Sequence, residues 1–168
     1  MTDGKRLFHT LLAFVLGLAT IGSAWAFQIL GGYVPCALCL EQRIPYYVAL
    51  PLLFAAALLL VRDIQIPLAR ALLLLAGIAF VIGLGLGVYH AGVEWKFWLG
   101  PADCGGGAVT ATDAGDLLAA IKHTKVVSCA DAAWRLFGLS LAGWNAVLSA
   151  LLALLTLTAA LGRSLHHH

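Results

Sequence analysis

The sequence predicts an all-α integral membrane protein, a four-helix bundle with two loops on one side of the bilayer. Three observations carry that expectation. Hydrophobic residues make up 62% of the chain and charged residues only 11%, against about 45–50% and about 25% in a soluble domain. The charges are clumped: none falls between Arg6 and Glu41, or within 44–61, 71–93 or 136–162. A spanning helix needs roughly 20 apolar residues, in practice about 17–25. The chain offers four such runs, near 8–30, 44–61, 69–90 and 136–161. They make one transmembrane domain over 1–165, with loops at 31–43 and 91–135, and leave no room for a soluble domain. The histidines at 166–168 read as the remnant of an expression tag.

Taken in order, the first run ends where Gly31 and Gly32 break a helix. Lys5-Arg6, the apolar run and Ala24-Trp25-Ala26 also fit a cleaved signal peptide, but the expectation is a retained helix. Pro35 suits the first turn of a new helix, which puts Cys36 and Cys39 on one face of that turn. Arg43, four residues beyond Cys39, stacks below them on that face. Pro45 and Pro51 are expected to kink or restart the second span, and Tyr46 and Tyr47 suit an interfacial belt. In the third run Gly83 and Gly87 form a small-xxx-small pair, for which plain packing is the leading reading, and His90 closes the span. Trp95, Phe97 and Trp98 belong at the membrane surface. Gly100-Pro101 turns the chain, and Gly105-Gly106-Gly107 leaves Cys104 on a loose tether. Residues 113–123 read as a short amphipathic helix lying on lipid, and Trp134 leads into the fourth span.

A net charge of +2 is too small to point to nucleic acid. Lys5, Arg6, Arg62, Arg70 and Arg163 fall on one side of the spans. Arg43, Lys96, Lys122, Lys125 and Arg135 fall on the other, with most of the acids. Short loops beside span ends carry the positive-inside signal. The 62–69 turn, with Arg62 inside it and Arg70 directly after it, therefore favours a cytoplasmic location for itself and both termini.

The four cysteines, Cys36, Cys39, Cys104 and Cys129, then lie outside, where disulfides persist. Structural zinc sites favour two close pairs, and Cys104 and Cys129 are too far apart in sequence for that, so no metal is expected. A static Cys104–Cys129 bridge would close a loop worth about 3–4 kcal/mol, but a Cys-x-x-Cys bridge closes almost none. That pair suits chemistry better. A thiolate is the reactive form, and a helix N-terminus or a nearby cation lowers a thiol's pKa; both are expected to act on Cys36 and Cys39. The arrangement suggests a relay, with a tethered loop pair meeting a protein partner and a fixed pair at the membrane edge passing electrons on. With no haem or iron–sulfur ligand set, the onward carrier must come from the lipid.

"PCALCLEQR", a span ending in His90, and then Cys104 and Cys129 together resemble the DsbB-type disulfide-generating proteins of bacterial inner membranes, over essentially the whole chain. "HAGVEWKFW" and "AAWRLFGLSLAGWN" are similar to the proteobacterial branch. The resemblance implies an inner-membrane enzyme with periplasmic redox loops and cytoplasmic termini. It would reoxidise a periplasmic DsbA-type thiol oxidoreductase and reduce ubiquinone or menaquinone from the membrane pool. It also implies roles. Cys104 is attacked by the partner, Cys129 is its loop mate, Cys36 exchanges with the loop pair, and Cys39 faces the quinone. Arg43 stabilises the Cys39 thiolate and the developing charge on the quinone, which His90 borders. The plainer readings are a snorkelling cation for Arg43 and a helix-end cap for His90. Gln28 and Asn145, polar residues within spans, are expected to line the bundle interior without catalytic roles. The alternatives are a vitamin K epoxide reductase-like protein, which should carry its Cys-x-x-Cys after the loop cysteines, and a non-enzymatic membrane protein with structural disulfides.

Overall fold

The structure is a computed structural model and describes residues 3–101, 125–126, 129–132 and 134–162. Helix α1 covers Asp3–Ile29, the short α2 Ala37–Glu41, α3 Ile44–Val61, α4 Ile66–Glu94 and α5 Leu141–Leu161. Four of the helical segments, one combining α2 with α3, are long and apolar enough to cross a membrane. Helix α4 packs most extensively on α5 and α3, and α1 lies against α3 and α5. Large apolar side chains such as Phe8, Leu18, Phe54, Ile82 and Leu154 point outward, as they do where the solvent is lipid. The amphipathic helix expected over 113–123 lies outside the described residues.

Local chemistry sets the ends of these helices. Asp3 sits in the first turn of α1, where the positive end of the helix dipole favours an acid. Its carboxylate accepts from Arg6 at 2.7 Å. Arg6 is fully buried and also donates to Ala159 O (3.0 Å) and Gly162 O (2.9 Å). Arg70 donates to Ala160 O at 2.7 Å. Two arginines thus satisfy carbonyls that the end of α5 leaves without helical partners, and they join the ends of α1, α4 and α5 to one another. The first helix accordingly begins at Asp3 rather than near residue 8, its charges engaged by α5.

The fourth helix starts later than the apolar run suggests. Strands β3 (Arg135–Leu136) and β4 (Leu139–Ser140) pair antiparallel, joined by Phe137 and Gly138 at φ 52° and 82°. Two successive positive φ values mark the two-residue hairpin turn that matches strand twist. Ser140 then caps α5, its hydroxyl accepting from Gly143 N at 3.1 Å. Helix α3 runs unbroken through Pro51, while Pro45 sits in its first turn. Helix α4 does not close at His90 but continues one turn to Glu94.

The glycines of α4 allow close approach where they face a neighbour. A Cβ on Gly87 would lie 2.9 Å from the Ala146 backbone of α5, and one on Gly83 would lie 3.3 Å from Pro45 and Ser149. Gly85, on the other face, meets nothing within 4 Å.

Strand β1 (Tyr33–Val34) pairs in parallel with β2 (Lys125–Val126), with Tyr33 opposite Lys125 and Val34 opposite Val126. This pairing brings the second loop alongside the first, just before the Cys-x-x-Cys.

Candidate active site

Cys36 is the N-cap of α2, not a residue within its first turn, and Pro35 precedes the cap. Its sulfur accepts from the Cys39 backbone N at 3.4 Å, and its thiol donates to Cys39 Sγ at 2.9 Å. Both Cys36 and Cys129 are buried, packed together with Leu38 and Val93. Cys129 also makes a side-chain hydrogen bond with Cys36. The first loop cysteine, Cys104, lies outside the described residues.

The hydrogen bond to Cys39, reinforced by burial, pushes the Cys36 thiol up to about 12. That overturns the expected lowering of this thiol. A five-residue helix has little dipole to offer, and the nearest cation on the chain is aimed elsewhere. Arg43 belongs to the junction between α2 and α3, at the N-cap position of α3 but without a side-chain capping bond. Its guanidinium donates to Gln28 Oε1 at 2.7 Å and Ala24 O at 3.3 Å, and lies over the Trp25 ring at 5.2 Å. Arg43 is therefore not stacked under Cys39; it reaches back to α1. Gln28 does face the interior, as this acceptor.

His90 lies at the centre of the site. Its Nδ1 is 2.6 Å from Gln42 Nε2, and its Nε2 is 4.0 Å from both Cys36 Sγ and Glu94 Oε1. The polar chain continues into the bundle. Asn145 Nδ2 donates to Gln42 Oε1 at 2.6 Å, and Tyr46 OH donates to Asn145 Oδ1 at 2.7 Å and lies 3.2 Å from Ser149 Oγ. Four elements thus meet through buried and part-buried hydrogen bonds, an arrangement that holds a core rigid when every member is satisfied. The ligand atoms of Cys36, Cys39 and His90 lie within 4.8 Å of one another.

A cavity of about 210 Å³ opens beside this chain. Cys39, Arg43, His90 and Glu94 form its polar side, while Ile21, Phe27 and Leu148 are among its apolar walls. Cys36 is not among its lining residues. The dithiol thus spans the two surroundings, with Cys36 buried beside Cys129 and Cys39 packed against that cluster and also lining the cavity.

Sequence reasoning singled out Cys36, Cys39, Cys129, Arg43 and His90, and the structure brings all five to one end of the bundle. It overlooked Gln42, Tyr46 and Glu94 as parts of the site. Glu94 had a signal, since it stands one helical turn beyond His90 on the same face, but it read as a loop acid. Asn145 lines the interior as expected and is also a link in the chain to His90.

A bundle of membrane-length helices with a buried dithiol against a cavity defines a membrane-embedded thiol oxidoreductase. The chain belongs to the family of the disulfide bond formation protein DsbB, whose model matches residues 5–159. It is thus a multi-pass membrane protein of disulfide-bond formation, and the family implies a periplasmic thiol oxidoreductase as its partner. No curated protein and no solved structure matches the chain.

Proposed function

We propose that this protein is a thiol:quinone oxidoreductase of the bacterial inner membrane, with its redox loops in the periplasm and both termini in the cytoplasm. It oxidises a DsbA-type dithiol and delivers the electrons to ubiquinone or menaquinone in the cavity. The observation that carries this reading is the division of the dithiol, with Cys36 beside Cys129 and Cys39 in the cavity wall. The cavity suits a quinone head group, with apolar walls and a polar side that holds a cation and a histidine. Bound there, a quinone supplies a two-electron, two-proton acceptor.

The chain's own residues divide the work. The partner's thiolate attacks Cys104 to form a mixed disulfide and releases the Cys129 thiol, and the partner's second thiol then resolves that mixed disulfide. The partner leaves oxidised and the loop pair becomes a dithiol. Cys36 accepts the exchange from the loop, so its disulfide with Cys39 opens and the loop disulfide reforms. The Cys36–Cys39 pair closes again when its two electrons and two protons leave toward the cavity. Arg43, held by Gln28 and the Ala24 carbonyl, fixes positive charge at the cavity rim, and charge developing in such a poorly hydrated place needs a fixed partner.

The test is quinone absorbance on addition of the reduced partner to protein in lipid nanodiscs. Quinol should form catalytically, Cys39→Ser should abolish it, and Cys104→Ser should stop transfer from the partner only. Partner oxidation without quinol would overturn the reading. The cluster of Cys36, Cys39 and His90 favours one second reading, a site that holds a thiophilic metal ion such as zinc. Stoichiometric zinc in the purified reduced protein, together with no quinol formation, would select it.

A further inference from the structure

We infer that Glu94 is the proton-transfer residue of the quinone site. The inference deepens the quinone reading and rests on it. Glu94 ends α4 with a side chain only 6% exposed. Its Oε1 faces His90 Nε2 at 4.0 Å, and its Oε2 is buried with no hydrogen-bond partner among the described residues. Glu94 also lines the cavity. The other polar groups there are engaged: Arg43 by Gln28 and Ala24, Gln42 by His90 and Asn145, and Asn145 by Tyr46. Lys96, the nearest cation in sequence, is held by Asp131 and the Ala130 carbonyl. A buried carboxyl oxygen left unsatisfied carries its desolvation penalty uncompensated. Glu94 thus brings an unsatisfied carboxyl to the wall of the cavity.

The chemistry needs such a group. When the Cys36–Cys39 bond forms, two electrons and two protons leave the dithiol, and quinone takes up two of each. The proton of Cys39 leaves from a residue that lines the cavity. The proton of Cys36 leaves from a buried sulfur that does not, and His90 Nε2 stands 4.0 Å from it. The same nitrogen stands 4.0 Å from Glu94 Oε1. Glu94 receives that proton by way of His90 and delivers it to a quinone oxygen in the cavity that it lines. Neither carbon–oxygen bond of the carboxyl breaks, and the group returns to its starting state each turnover.

Glu94→Gln keeps the shape and removes the transferable proton. Positioned acid–base groups contribute about 10²–10⁴-fold, so single-turnover quinol formation from prereduced Cys36–Cys39 should fall by about 10²-fold or more. Quinone affinity, read by quenching of tryptophan fluorescence, should stay within about threefold of the unmodified protein's, because transition-state groups need not contribute to ground-state binding. Glu94→Asp should recover part of the rate. A readout independent of turnover is the infrared difference spectrum on addition of ubiquinone. It should contain a carboxyl band that Glu94→Gln removes. A Gln variant with unchanged rate and an unchanged infrared band overturns the inference while quinone reduction by the unmodified protein stands. Loss of quinone affinity alone makes Glu94 a binding group and also overturns it. No quinol from the unmodified protein removes the parent reading and the inference with it.

Discussion

Arg43 shows how one side chain is committed before any substrate arrives. Gln28, the Ala24 carbonyl and the Trp25 ring hold its guanidinium in place, so its charge is preorganised at the cavity rim. Losing one such group costs about 10²–10³ in rate, and quinol formation by Arg43→Ala should fall on that scale. Arg43→Lys should retain part of the rate, since it keeps the charge but not the planar fork. Quinol formation at saturating partner over a range of quinone concentrations measures both. An alanine variant with unchanged rate and affinity would reduce Arg43 to a snorkelling anchor. Cys36 makes the second prediction at this scale. Its thiol is pushed from an ordinary 9.0 to about 12, with the bond to Cys39 as the largest cause. The reactive thiolate appears only as pH rises through the folded value, so alkylation of Cys36 in the reduced protein should still be climbing above pH ~10. In Cys39→Ala the climb should move to lower pH, because the main cause is gone. Identical profiles for the two proteins would make burial the dominant cause instead. Both cysteines and Arg43 were legible from spacing alone. The aim of Arg43 was not, because an i,i+4 rule assumes one continuous helix, and here α2 ends before α3 begins.

Among the elements, α4 carries the sharpest contrast. Gly87 and Gly85 are two residues apart on the same helix, but only Gly87 touches the α5 backbone. Gly87→Ala must drive the two helices apart, and overpacking of this kind costs about 1–3 kcal/mol. Gly85→Ala meets open space and should be neutral or stabilising by up to about 1 kcal/mol, from helix propensity. Thermal unfolding in detergent should rank the unmodified protein above Gly87→Ala and at or below Gly85→Ala. Equal losses from the two substitutions would mean that the contact with Ala146 is not what Gly87 is for. Hydropathy revealed the four long helices because lipid demands about 20 apolar residues at a stretch. It could not reveal the hairpin over 135–140, since Leu136, Phe137 and Leu139 are as apolar as the helix that follows. The signal there was Gly138, one residue in a turn. The end of α4 was hidden for a related reason. His90 is polar and looked terminal, but it is buried with Glu94 one turn further on, and burial of polar residues in partnership leaves no trace in a hydropathy profile.

At the scale of the whole molecule the two ends differ in kind. One end gathers Arg6 and Arg70 against the last carbonyls of α5, with the 62–65 turn beside them. The other gathers the dithiol, the cavity and the Lys96–Asp131 pair. Membrane insertion reads Lys and Arg in short loops near span ends, and the arginine-rich end satisfies that condition. Helix-terminal carbonyls also favour cations, so the same arginines stabilise the fold and mark its orientation. The expectation is an arginine end in the cytoplasm and a dithiol end in the periplasm, where a soluble thiol partner can reach Cys104 and disulfides persist. Single reporter cysteines in a chain whose four native cysteines are replaced by serine test this directly. Lys96 and Asp63 are exposed at opposite ends, so Lys96→Cys and Asp63→Cys serve as the two reporters. In intact cells with a permeable outer membrane, an impermeant maleimide should label Lys96→Cys, and Asp63→Cys should react only once the inner membrane is opened. The reverse pattern would invert the protein in its membrane. It would place the dithiol in a reducing compartment, where neither the relay nor a periplasmic partner could operate.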